Sequence, residues 1–173
     1  ELRRAGTIAS LGVSIQSTSE ALTALASQDV DHIQLAFNIL DWRWKETGVI
    51  AAIRQRGDVT VHARSIFLQG ILASNDPDTW PRLEGVNAKE LLGIIADCAE
   101  EFGRESPADL CLAYARGQDW IDGTVVGMET EAQLDTNLRL SIKPPLSRED
   151  CAWIEKMIPR VPERLLDPAQ WPK

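Results

Sequence analysis

Four times along this 173-residue chain an apolar run ends in polar residues and gives way to an amphipathic helical pattern. That alternation constrains the fold more than any other feature, because a connection that passes through a helix returns the chain to the same end of a sheet and makes the strands parallel. The four predicted strands are Thr7–Ile15, His32–Asn38, Val59–Ser65 and Gly123–Val126. Function in such proteins sits at the carboxyl ends of the strands. The polar strand ends are therefore the first place to look.

The helices between them carry their own start and stop signals. Ser17-Thr18-Ser19-Glu20 is a capping box that opens a helix through Ala26, and a helix around Val49–Arg54 stops at Gly57. Asn87 caps a long helix, Ala88–Phe102, with Glu90 completing its box and Gly103 ending it. Ser106-Pro107 starts another, Thr130 with Gln133 caps a helix through Leu140, and Ser147 with Asp150 opens the last. The connection from Leu72 to Gly85 holds Asn75-Asp76-Pro77-Asp78 and Trp80-Pro81, and reads as a long loop. Right-handed crossovers set consecutive strands side by side with helices outside, and four such units, continued, curl toward a (β/α)8 barrel of roughly 250 residues. A chain of 173 residues holds about half of one, as a single domain over 1–173. The opening segment Glu1 to Gly6 reads as the tail of a helix with its glycine stop, so the expectation is that sequence is missing upstream.

Composition narrows the partners. With 18 Lys plus Arg against 26 Asp plus Glu, a net charge of -8 repels a phosphate backbone or an anionic membrane, so no nucleic acid and no membrane is expected. No apolar stretch approaches the ~20 residues that cross a bilayer. Cys98, Cys111 and Cys151 are widely spaced inside predicted helices and match no metal spacing. They read as buried free thiols of a protein in the reducing cytoplasm.

Several residues could carry chemistry. Gly127 permits close backbone approach, and the amides of Met128, Glu129, Thr130 and Glu131 cluster at a helix start that attracts anions. Gln133 and Asn137, four apart on one helical face, can meet one planar hydrogen-bonding ligand, or can be a capping box followed by two solvated amides. Ser14 and Gln34 are polar where a parallel strand is otherwise apolar. Arg64-Ser65-Ile66-Phe67-Leu68-Gln69-Gly70 offers a cation, a hydroxyl, an amide and a glycine in one turn, the types a pyrophosphate cradle needs; a polar turn whose Arg pairs with a surface carboxylate is the alternative. His32 and His62 read as core or bottom-face residues, Glu100-Glu101 as a solvated face, and Trp42-Arg43-Trp44 as packing or loop surface. No metal site is expected. There is no G-x-G-x-x-G, no phosphate-binding G-x-x-x-x-G-K-[ST], and no nucleophile with an adjacent base.

In order and on their elements, Gly12-Val13-Ser14, His32-Ile33-Gln34 with Asn38, Arg64 through Gly70, and Val125-Val126-Gly127 running to Gln133 and Asn137 resemble the second half of an aldo-keto reductase. The resemblance covers essentially the whole chain, and the tail Pro159-Arg160-Val161-Pro162-Glu163 fits a bacterial branch. It implies the C-terminal half of a (β/α)8 TIM barrel, four parallel βα units plus extra C-terminal helices, holding NAD(P)H without a Rossmann domain. By position, Ser14 and Gln34 would bind the nicotinamide carboxamide, and Arg64 takes the place of the residue that stacks on the ring. Ser65, Leu68 and Gln69 would contact the pyrophosphate through backbone groups, and Gln133 and Asn137 would read the adenine.

Three departures from the family pattern stand out. Ile15 occupies a position where Asn is common, and Glu129-Thr130 replaces the Arg or Lys that pairs with the 2′-phosphate of NADPH. The family's catalytic Asp, Tyr, Lys and His belong to strands not in this chain, so no catalytic residue is expected here and the chain alone should be inactive. The lone tyrosine, Tyr114, falls on a predicted outer helix. The implied partners are a small-molecule carbonyl substrate and either the missing N-terminal half or a second copy that completes the barrel. Two other readings stay open: a non-catalytic half-barrel that binds or assembles, and a barrel enzyme for a phosphorylated substrate.

Overall fold

The computed structural model describes residues 2–172, so Glu1 and its part in the expected helix tail lie outside the described residues. The tail itself is visible from Leu2 on: the Gly6 amide donates to Arg3 O and the Thr7 amide to Leu2 O, both at 3.0 Å, with Gly6 left-handed at φ +70°. This pair of bonds is the Schellman arrangement that closes a helix.

The chain then runs β1 (Gly12–Ile15), α1 (Thr18–Ala26), β2 (His32–Ala36), α2 (Arg43–Glu46), α3 (Val49–Arg56), β3 (Thr60–Arg64), α4 (Ala88–Glu101), α5 (Pro107–Arg116), β4 (Gly123–Thr124), α6 (Glu131–Ser141) and α7 (Arg148–Met157), with short 3-10 turns at Pro77–Thr79, Glu163–Leu165 and Pro168–Gln170. The strands form one parallel sheet in the order β1-β2-β3-β4, as the alternation requires. They are shorter than the apolar runs. Residues before Gly12 have no ladder to join because β2 begins only at His32, and β4, an edge strand, keeps two residues plus one bond from the Val125 amide to Ala63 O at 2.7 Å.

Register sorts the strand residues onto two faces. Ile15, Ile33, Leu35, Val61 and Ala63 are buried under the helices, where α5 contributes Leu110 through Ala115 to the same core. The opposite face carries Ser14, Gln34, His62 and Gly123 in one row, with His32 below and Arg64 above. Its members are half-buried or exposed. The sheet is thus apolar toward its helices and polar on its open side, which is why a parallel sheet here shows alternation rather than a continuous apolar run.

Caps follow the sequence with two variations. Ser17 and Ser147 form reciprocal boxes with Glu20 and Asp150. Asn87 accepts from the Glu90 amide, but the Glu90 carboxylate meets the Asn87 side-chain amide at 3.1 Å, not the backbone. The Gln133 side chain likewise turns past the cap residue to the Glu129 amide. The thiols of Cys98, Cys111 and Cys151 are free and buried, and Trp44 is fully buried over Asp41, whose carboxylate also grips Arg43.

Candidate functional site

The turn after β3 is held in a conformation its residues disfavour. Ser65, Leu68 and Gln69 adopt positive φ of 60°, 44° and 57°, which costs non-glycine residues of order 1–3 kcal/mol each. The surroundings impose it: Ile66 and Leu68 are 2% and 1% exposed, and the Leu68 and Gly70 amides bond back to Ser65 O and Phe67 O at 2.9 Å. Among the described residues the amides of Ser65, Ile66, Phe67 and Gln69 have no acceptor. Such strain concentrates at binding sites, where it aims main-chain donors outward.

That turn forms one wall of a groove of about 910 Å³ whose other wall is Val125 to Glu129 and the first turns of α6, through Gln133 to Asn137. The size suits a dinucleotide, since ligand sites run to roughly 300–1,000 Å³. Arg64 and Glu129 are the two charged residues in the lining, one on each wall. Thr130 Oγ1 accepts from the Gln133 amide at 3.2 Å, and Gln133 Oε1 accepts from the Glu129 amide at 2.6 Å. The oxygen of Gln133 is therefore spent on the cap, leaving its NH2 group without an acceptor among the described residues, while Asn137 is half-buried one turn further on. A Cβ at Gly127 would meet nothing within 4 Å, so the open space beside it, not a positive φ, is its contribution.

Ser14 and Gln34 are adjacent in register on the open face of the sheet and lie outside the groove lining. Arg64 connects the two regions. Its Nη2 donates to Gln16 Oε1 at 2.8 Å and to Ile15 O at 3.3 Å, and Nη1 to Ser65 Oγ at 3.2 Å. The Ile15 side chain turns into the helix layer, 6% exposed, so only its carbonyl makes a polar contact. Gln16 is the residue that sequence reasoning overlooked; its position directly after β1, beside a capping box, was the available signal.

His62, in the row of Ser14 and Gln34, and His32, below that row, meet edge to face with ring centroids 4.4 Å apart on the same open face, and a Cβ at Gly123 would come within 2.9 Å of His62 Cδ2. Among the described residues no group of three or more His, Cys, Asp or Glu is placed to hold a metal ion, and no helix is long and apolar enough to cross a membrane.

Comparison with known proteins agrees with this geometry. A search of curated proteins finds no match. The chain is similar in structure to the aldo-keto reductase AKR11C1 of Bacillus halodurans: in its holo form at TM-score 0.72 and 21% identity, over 96% of this chain and 56% of that one. For the apo form the values are TM-score 0.73, 22% identity, and 96% and 57% coverage. The chain thus spans little more than half the length of that barrel protein, and its four βα units correspond to half of a (β/α)8 barrel. The model of the family "Aldo/keto reductase family" matches residues 1–159, and the chain belongs to that family.

Proposed function

We propose that this chain, one half-barrel domain, is the cofactor-binding half of an NAD(P)H-dependent carbonyl reductase. The observation that carries the reading is the strained Ser65–Gln69 turn, with amides left without acceptors, forming the wall of a groove of dinucleotide size opposite the α6 start. The turn holds the pyrophosphate through the free Ser65 and Gln69 amides, with Leu68, whose own amide is spent on Ser65 O, shaping it; Gly127 and Met128 border the groove, and Gln133 and Asn137, on the helix that Thr130 caps, receive the adenosine end. Ser14 and Gln34 fix the carboxamide on the open face, with the flat guanidinium of Arg64 beside the ring. Bound this way, the reduced nicotinamide would supply a hydride to a small carbonyl substrate. Glu129, at the adenosine end, would repel a 2′-phosphate and accept from a ribose hydroxyl, which favours NADH over NADPH.

The proton donor belongs to the family's other half, so the 173-residue chain should bind the cofactor without turnover. Its buried free thiols support a cytoplasmic setting. Titrating the protein with NADH and NADPH, followed by cofactor fluorescence, tests the reading; absence of saturable binding of either would defeat it.

A second reading, an assembling half-barrel, draws support from the apolar residues left exposed at both edges: Leu11 and Leu22 beside β1, and Leu134, Leu138 and Ile142 along α6. An N-terminal half-barrel or a second copy would cover them.

A further inference from the structure

Among the described residues three half-buried arginines, Arg64, Arg116 and Arg164, form no ion pair, and of these Arg64 alone lines the groove. Arg43, Arg56 and Arg104 each form an ion pair, with Asp41, Asp58 and Asp109. Arg64 instead donates to three neutral oxygens, on Gln16, Ile15 and Ser65, and among the described residues no carboxylate lies within ion-pairing distance of it. The acid on the adjoining cap, Glu20, is turned away and accepts from the Gln16 and Ser17 amides at 2.8 and 2.9 Å. In a chain of net charge -8, a half-buried guanidinium at the head of a groove is left uncompensated.

Three of its five N–H groups are committed to those neutral acceptors, which fix the plane of the guanidinium across β2. The remaining donors and the full charge are free. Neutral acceptors orient an arginine without cancelling its charge, and that suits an anion arriving from outside.

We propose that Arg64, oriented by Gln16, is the binding point for an oxyanion at the carboxyl ends of β1 to β3. The inference rests on the cofactor reading only for the source of that oxyanion, which is either the dinucleotide's diphosphate or a carboxylate on the carbonyl substrate. Gln16 is a positioning residue.

The test measures binding of inorganic pyrophosphate, of NADH, and of pyruvate added to NADH-saturated protein, by calorimetry at low salt. The proteins are the unaltered chain, Arg64→Gln, Arg64→Lys and Gln16→Glu, each with folding confirmed by circular dichroism. Gln16→Glu preserves the hydrogen bond but installs a counter-charge, so a purely structural role would leave it harmless. The expected result is a loss of at least ~10-fold in oxyanion affinity in both Arg64→Gln and Gln16→Glu, with partial retention in Arg64→Lys. Loss for pyrophosphate and NADH identifies the diphosphate, and loss for pyruvate alone identifies the carboxylate. Unchanged affinity for all three probes in Arg64→Gln, or in Gln16→Glu, overturns the proposal. Should NADH bind equally to every variant with no probe affected, the cofactor reading survives and this one fails. Should pyrophosphate bind in an Arg64-dependent way while NADH does not bind at all, the reverse holds.

Discussion

The hydroxyl of Tyr114 donates to Glu155 Oε1 at 3.0 Å beneath α7, while its ring stacks on Phe37 with centroids 5.8 Å apart. This places the chain's one tyrosine in the helix layer, on the far side of the sheet from Ser14 and Gln34. It is a packing residue, and the hydroxyl is there because a buried phenol requires a partner. Tyr114→Phe is expected to leave NADH affinity within twofold and to cost about 1 kcal/mol, the worth of one hydrogen bond to a charged acceptor less the relief of the phenol's desolvation. Fluorescence titration and urea unfolding measure both.

Alkaline pH should weaken the fold. Burial pushes the thiols of Cys111 and Cys151 up to about 12, and burial, then the neighbouring Glu155, raises the Tyr114 phenol well above its ordinary value. In the unfolded chain the thiols ionise from about pH 8.5 and the phenol from about pH 10. The folded protein then binds more protons than the unfolded one, so unfolding free energy falls as pH rises. Full stability is present below pH 8 and declines toward 12. Urea midpoints at pH 7.5 and pH 10.5 should differ in that direction, and a midpoint that rises would contradict the burial of these groups.

Glu129→Arg should reverse the cofactor preference. In the proposed pose a guanidinium on the α6 wall of the groove would replace a carboxylate placed to repel the 2′-phosphate. The ratio of NADPH to NADH affinity is expected to rise at least ~10-fold, equivalent to about 1.4 kcal/mol. Paired titrations decide it.

Gln69→Gly separates backbone from side-chain recognition. Gln69 is exposed at φ +57°, a conformation glycine adopts without strain. Stability should rise by up to about 1 kcal/mol, and the proposed pose, in which the amide and not the side chain serves the pyrophosphate, requires NADH affinity to stay unchanged. A drop in affinity beyond threefold would assign the contact to the side chain.

Gly123→Ala should cost roughly 1–3 kcal/mol, since its Cβ would stand 2.9 Å from His62 Cδ2 and the ring is pinned against His32. Unfolding of the double variant with His62→Ala should recover most of that loss.

Local chemistry determined a great deal of this protein. The four parallel βα units, the caps at Ser17, Asn87, Ser106, Thr130 and Ser147, and the solvated Glu100-Glu101 face follow from periodicity and short-range hydrogen bonding, and they are present. Those signals act within a few residues of each other, so they can be read along the chain. What tertiary structure alone decided was the use to which polar residues are put. Gln133 gives its oxygen to the helix cap, Arg64 finds a neutral partner in Gln16 at 48 residues' distance in place of a surface carboxylate, and His32 meets His62 across two strands. Strand register and turn conformation fix such pairings, and both depend on the packing of apolar faces far apart in sequence, for which no local pattern is a proxy.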